Sequence, residues 1–263
     1  MAIDWRSANG DFAKLPELVA DLVRRKVDVI VVQSTPGMQA VKGATSTIPV
    51  VMALVGDPVG SGLVTNLAHP GGHVTGLSTM TTDLSAKRLQ LLKETIPQLA
   101  RVAVLWNPDT PYHARVIQEL KAAAPALSLK LSFVPARKPD EFSSAFSEIS
   151  RTHAQGLYLI DDAIFFAHRT TLLKLASMAS LPALYAQREF VEAGGLMSYG
   201  TNIEDMLRRS AGFVDKILRG AKPGDLPIEQ PTKFDLVVNL KTAKVLGITI
   251  PQSILLQAEE VIR

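Results

Sequence analysis

Short β-branched runs alternate with amphipathic stretches along the whole chain, and that alternation restricts the possible fold more than any other feature. Val27-Asp28-Val29-Ile30-Val31-Val32, Ile48-Pro49-Val50-Val51-Met52-Ala53 and Arg101-Val102-Ala103-Val104-Leu105-Trp106 read as buried strands. Leu129 to Val134, Gly156 to Ile160, Ala183 to Tyr185 and Leu196 to Tyr199 are further candidates. Strands covered on both faces require such near-continuous apolar runs, which point to a parallel sheet. Between them, Leu15, Leu18, Val19, Leu22 and Val23 share one helical face, as do Phe142, Ala145, Phe146 and Ile149 after an N-cap at Asp140. Met206, Leu207, Ala211, Val214, Ile217 and Leu218 form the clearest stripe, with Asn202 or Thr201 as cap and Gly220 as terminator. Alternating strands and helices stack as right-handed βαβ units, so the expected class is α/β with doubly wound parallel sheets.

The 263 residues fit one large domain or two lobes, and the order of units favours two. From Asp4 to about Thr79 the pattern holds two or three strands with two helices, and from Asp83 to about Met197 four or five strands with four helices. The expected lobes are residues 1–78 plus about 199–226, and 79–198 plus about 227–263. Extended crossings are expected at Thr75 to Met80, at Met197 to Thr201 and at Leu226 to Lys233, making Thr75, Gly76, Ser198 and Tyr199 the hinge candidates. Several crossings favour closure about a fixed axis. Ile3-Asp4-Trp5-Arg6 is strand-like and leads directly into the Leu15 helix. The first lobe therefore reads either as naturally small or as lacking roughly an upstream strand and helix.

Composition removes several function classes. The 28 Lys and Arg are scattered against 25 Asp and Glu, without the basic stripe of a nucleic-acid surface. The densest apolar stretch, Ile48 to Val55, is far shorter than a membrane helix and contains a proline. With no Cys, disulfides, thiolate nucleophiles and Cys-based zinc sites are excluded. Met1-Ala2-Ile3-Asp4-Trp5 lacks the basic-then-apolar order of a signal peptide, which taken alone reads as cytoplasm.

No cofactor fingerprint emerges either. The glycines of Gly56-Asp57-Pro58-Val59-Gly60-Ser61-Gly62 miss the dinucleotide spacing, and Pro58 removes an amide donor. His69 and His73 are four apart, but Pro70-Gly71-Gly72 prevents the helix a zinc pair would need; His113, His153 and His168 sit in polar, exposed-looking contexts. There is no Gly-x-Ser-x-Gly elbow, and Asp161-Asp162 reads as a helix cap before it reads as a metal site. No cofactor, no metal and no catalytic residues are expected.

What remains is polar residues at strand carboxyl ends, where open α/β sheets bind ligands. Ser34 and Thr35 precede a short helical stretch, Met38 to Ala44, whose free amides would seat an anion; an ordinary N-cap is the plainer alternative. Asp57, Asn107, Asp161, Tyr185 and Glu189 follow other strands and complete the ligand-binding candidates. Donors, acceptors and an aromatic without an assembled nucleophile suit a protein that captures a small molecule, here a zwitterion with its amine on Asp161 or Glu189.

Several segments then carry a family resemblance. Leu15 to Arg25, Gly56-Asp57-Pro58-Val59, Asn66 to Gly76, Lys87 to Glu94, Arg188 to Gly200 and Gln230 to Lys244 together resemble the ABC transporter substrate-binding protein family that includes tryptophan- and tyrosine-binding lipoproteins. The resemblance implies a type I periplasmic-binding-protein fold and export, with capture of a small, amino-acid-like and possibly aromatic ligand for delivery to an ABC permease. It implies no nucleic-acid partner and no membrane contact beyond the permease or a lipid anchor. It also implies a signal peptide, a first strand and a first helix upstream of Met1. Gln33-Ser34-Thr35-Pro36-Gly37 keeps the hydroxyls of the family's carboxylate-holding turn but departs in its first residue, and Asp161 matches its acidic position. A ligand-sensing regulatory domain of the same fold, or an α/β enzyme, are the alternatives.

Overall fold

The computed structural model describes residues 2–263. The first elements are α1 (Leu15–Arg24), β1 (Ile30–Val32), α2 (Thr35–Ala44), β2 (Val50–Val55) and β3 (Val74–Ser78). Then come α3 (Ser85–Thr95), β4 (Arg101–Trp106), α4 (His113–Ala123), β5 (Lys130–Pro135), α5 (Phe142–Arg151) and β6 (Gly156–Leu159). The chain continues with α6 (Ala163–Ala167), α7 (Arg169–Met178), β7 (Ala183–Tyr185), α8 (Arg188–Glu192), β8 (Met197–Thr201) and α9 (Ile203–Leu218). It ends with β9 (Phe234–Asn239), α10 (Leu240–Val245), α11 (Gln252–Gln257) and β10 (Glu260–Ile262). Among the described residues no helix is long and apolar enough to cross a membrane.

These elements form two compact units, one of residues up to Thr79 with Ile203–Pro231, the other of Met80–Asn202 with Thr232–Arg263. The first unit holds a parallel sheet in the order β1-β2-β3. Alternate residues of β2 serve opposite faces: Val50 and Met52 meet Val19, Met38 and Val41 of α1 and α2, while Val51 and Leu77 pack under Met206, Phe213 and Ile217 of α9. Only Met206 and Ile217 of the stripe read in the sequence are buried; Ser210 and Phe213 complete the inner face, while Ala211 and Leu218 are exposed, and Gly220, at φ +100°, ends that segment.

The second unit holds a seven-stranded sheet, β10-β9-β8-β7-β6-β4-β5. Val102 and Val104 face Leu89, Val116 and Leu120 of α3 and α4, whereas Ala103 and Leu105 face Phe142, Phe146 and Phe165. Each fully buried Leu or Phe contributes about 1.5–3 kcal/mol, so the two-sided apolar runs account for much of the unit's stability.

The structure departs from the sequence-based expectation at identifiable places. Ile3-Asp4-Trp5-Arg6 is not a strand; Arg6 is drawn into ion pairs with Asp4 and Asp21, and Trp5 is exposed. Asp140 lies in a 3-10 turn, and α5 begins without a side-chain cap. Between β4 and β8 the unit adds α6 and α8, five residues each, too short for a periodic signal. The sheet is mixed, because β9 runs antiparallel to β8. Ser198 and Tyr199, expected in a crossing, are laddered inside β8, Ser198 opposite both Tyr185 and Val237 and Tyr199 opposite Leu236. The chain passes between units at Asn202–Ile203 instead, and at Thr79–Met80 and Pro231–Thr232.

Thr75 and Gly76 lie within β3, paired with Val51 and Met52. Gly76 has φ +127°, and a Cβ there would stand 2.1 Å from the Met52 carbonyl oxygen and 2.5 Å from its nitrogen. Only glycine permits this approach of β3 to β2. Gly76→Ala is therefore expected to destabilise the protein by about 3 kcal/mol or more. Gly43→Ala, in α2 with open space around the new methyl, is expected to stabilise by about 0.5–1 kcal/mol. Urea unfolding of both variants checks the opposite signs.

Candidate functional site

The carboxyl ends of β4, β6 and β7 gather a polar cluster in the second unit. At its centre is Asp161, just beyond β6. Its Oδ2 accepts from Thr81 Oγ1 at 2.9 Å, and its Oδ1 accepts from Gln187 Nε2. Its backbone carbonyl accepts from the Tyr112 hydroxyl at 2.7 Å and from His113 Nε2 at 3.0 Å. Four side chains from three loops thus hold one partly exposed aspartate. Both groups bound to its carboxylate are neutral donors.

Asp162 does different work. Its Oδ1 accepts from the Ile164 amide at 2.8 Å, capping α6, and its Oδ2 takes Thr110 Oγ1 at 2.5 Å and Asn107 Nδ2 at 3.3 Å. Of the acidic pair, the second residue is the helix cap.

His113 is fully buried, contrary to the exposed setting expected for it. The signal was present: His113, Val116 and Leu120 share the buried face of α4 at i, i+3 and i+7. Its Nδ1 accepts from the Asn107 amide at 3.0 Å while Nε2 donates to the Asp161 carbonyl, a pattern that only the neutral ring satisfies. Burial holds its pKa below the ordinary value, with Asp162 Oδ2, 3.7 Å away, pulling the other way.

The remaining candidates are placed as follows. Asn107 is 3% exposed; its amide nitrogen goes to Asp162 and its oxygen to the Asp109 amide, so it shapes a loop rather than offering itself to a ligand. Tyr185 is a core residue, stacked on Phe190 with centroids 4.5 Å apart, and burial pushes its phenol pKa upward. Glu189 is partly buried on α8 with Oε2 unpartnered; burial raises its pKa. Thr81, Gln187 and Tyr112 escaped sequence reasoning because nothing in their local pattern ties them to Asp161.

In the first unit, Ser34 is an N-cap: its Oγ accepts from the Gly37 amide at 3.1 Å. The Met38 amide goes to the Ser34 carbonyl, and Pro36 has no amide to give. The anion seat expected from free amides is therefore largely used up by the helix's own cap. The Thr35 hydroxyl accepts from the Gly56 amide at 3.3 Å, and Asp57 Oδ1 accepts from the Gly60 amide at 2.8 Å to close a turn.

The profile of the ABC transporter substrate binding protein family matches residues 1–262. The chain belongs to this family. It is a family of substrate-binding proteins rather than enzymes. A tyrosine-binding protein of Clostridioides difficile strain R20291 is 26% identical over 245 residues, 93% of this chain and 70% of that protein. Among solved structures, an ABC domain in complex with L-Trp from Streptococcus pneumoniae shares 28% identity with a TM-score of 0.92, covering 100% of this chain and 90% of its own. A conserved domain protein of Vibrio cholerae O1 biovar El Tor shares 31% identity with a TM-score of 0.91, covering 99% of this chain and 87% of its own. The α/β architecture accordingly has the type I periplasmic-binding-protein fold expected from the sequence.

The His113 environment sets a pH dependence. The native ring resists protonation, whereas the unfolded chain takes the proton near the free-histidine value of about 6.5. Stability is thus full above about pH 6.5 and falls as the pH drops below it. His73, its pKa also lowered mainly by burial, contributes with the same sign. Unfolding free energies measured from pH 8 to pH 5 should decline, and His113→Asn should flatten the slope while lowering stability throughout.

Proposed function

We propose that this substrate-binding protein captures an amino-acid-like ligand through an ammonium group seated on Asp161, and hands it to an ABC permease for import from outside the cytoplasm. The observation that carries the reading is the Asp161 carboxylate, fixed by Thr81 and Gln187 and still without a positive partner among them. Two neutral donors orient the oxygens without cancelling the charge, leaving the site complementary to a cation. The tyrosine-binding and L-Trp-bound relatives support an α-amino acid, and an aromatic one in particular.

The division of the chain into lobes, with Thr75 and Gly76 close to the first passage between them, belongs to the same reading, as does a ligand-facing part for the Thr35 hydroxyl. Tyr185 and Asn107 are left out of the contact set, since their polar and aromatic groups are already committed internally.

Isothermal titration with L-tyrosine and L-tryptophan tests the proposal. The wild-type protein should bind at least one, and Asp161→Asn should weaken it by about 2 kcal/mol or more, the scale of a charged hydrogen bond. Equal affinity in the variant would remove Asp161 from the site; silence of the wild type across all twenty amino acids would remove the amino-acid reading.

A further inference from the structure

Arg88 breaks three local rules at once. It is a cation in the first turns of α3, the end of a helix where the backbone dipole favours negative charge. Its side chain is buried, at 3% exposure. Its partners are all neutral: Nε donates to the Tyr199 carbonyl at 2.6 Å and Nη1 reaches the Thr81 carbonyl at 3.4 Å. Buried charges are ordinarily paired, and local rules are broken mainly where function asks for it.

What those partners have in common is their route to Asp161. Thr81 is the residue whose hydroxyl fixes Asp161 Oδ2, and its carbonyl is held from below by Ser85 Oγ at 3.1 Å together with Arg88. Tyr199 belongs to β8, laddered into the sheet, so Arg88 ties the segment carrying Thr81 to a rigid element. Tyr158, on β6 three residues before Asp161, leans its hydroxyl on the Ser85 carbonyl at 3.4 Å. The space is tailored as well: a Cβ on Gly200 would stand 2.0 Å from the Ala186 carbonyl oxygen and 3.3 Å from Arg88 Nη2. A planar fork of donors reaches carbonyls on two separate segments in one fixed geometry, which a compact ammonium on a flexible stem holds less rigidly.

We propose that Arg88 is a positioning residue for the ligand's amino group, acting through Thr81 to hold the Asp161 carboxylate in its binding orientation. The inference rests on the amino-acid reading of Asp161 given above. It goes further by assigning recognition of the amine to a relay, Arg88 to Thr81 to Asp161, none of whose first two members contributes charge to the ligand directly.

The test compares L-tyrosine with 3-(4-hydroxyphenyl)propionic acid, which lacks the amine, on wild type, Arg88→Met and Arg88→Lys. Arg88→Met should lose tenfold or more in affinity for L-tyrosine and change little for the deaminated acid, with Arg88→Lys between. In a double-mutant cycle, Arg88→Met added to Asp161→Asn should cost little more, because both remove one function. Equal loss for both compounds would mean a merely structural part and overturn the proposal, as would unchanged L-tyrosine affinity. If Arg88→Met does not fold, Arg88→Lys carries the same comparison. Should wild type bind neither compound, the amino-acid reading fails separately, and hydrogen exchange decides the relay. Faster exchange of the Leu84 and Ser85 amides, bonded to the Met80 and Thr82 carbonyls, then supports the pin, and unchanged exchange in the Arg88 variants overturns it.

Discussion

A parallel sheet covered on both faces has only its strand ends available for polar chemistry. In the larger unit, alternate residues of β4 and β6 are committed to opposite apolar layers, Leu157 and Leu159 to one and Tyr158 and Ile160 to the other. Polar groups are thereby expelled to the loops following the strands, where backbone amides and carbonyls already need partners. Asp161 and Asp162 stand at that boundary, the first residues beyond β6 and Ile160 that are free of the layer pattern. Their neighbours Asn107, Thr110, Tyr112 and His113 come from the loop after β4 for the same reason.

The cluster divides its labour by burial. Asp162 is sealed inside and spends its oxygens on a helix end, Thr110 and Asn107, so it serves architecture. Asp161 is held by backbone and side chain alike yet keeps a partly exposed carboxylate with neutral partners. Two adjacent identical residues thus acquire different tasks from their surroundings. On the proposed reading of Asp161, preorganisation of this kind reduces what a ligand must spend on ordering the site.

The same logic explains the misplaced candidates. Tyr185 follows the strand pattern one residue longer than its aromatic, ligand-like character suggests, and its ring completes the Phe190 layer. Ser34 looks like an anion ligand in sequence, but a helix beginning Thr35-Pro36-Gly37 needs its own cap first. His113 was hidden by Pro111 and polar neighbours, although its spacing to Val116 and Leu120 marks the inner face of a helix.

Strand runs, the α5 stripe, the α/β class and the presence of an acidic residue after β6 were legible in the amino-acid sequence, because they depend on residue type and on periods of two or 3.6 within a few positions. The stripe read for α9, by contrast, matched its buried face only at Met206 and Ile217. The antiparallel seating of β9, the short helices α6 and α8, and the ladder around Ser198 were not, since pairing partners distant in sequence decide them. Nor were Thr81 and Gln187, which meet Asp161 from 80 and 26 positions away, nor the anchoring of Arg88, seven positions from Thr81, on Tyr199, 111 positions away. A side chain's task at such a distance is set by which loops the sheet order brings together. That order is a property of the folded chain, and no local pattern encodes it.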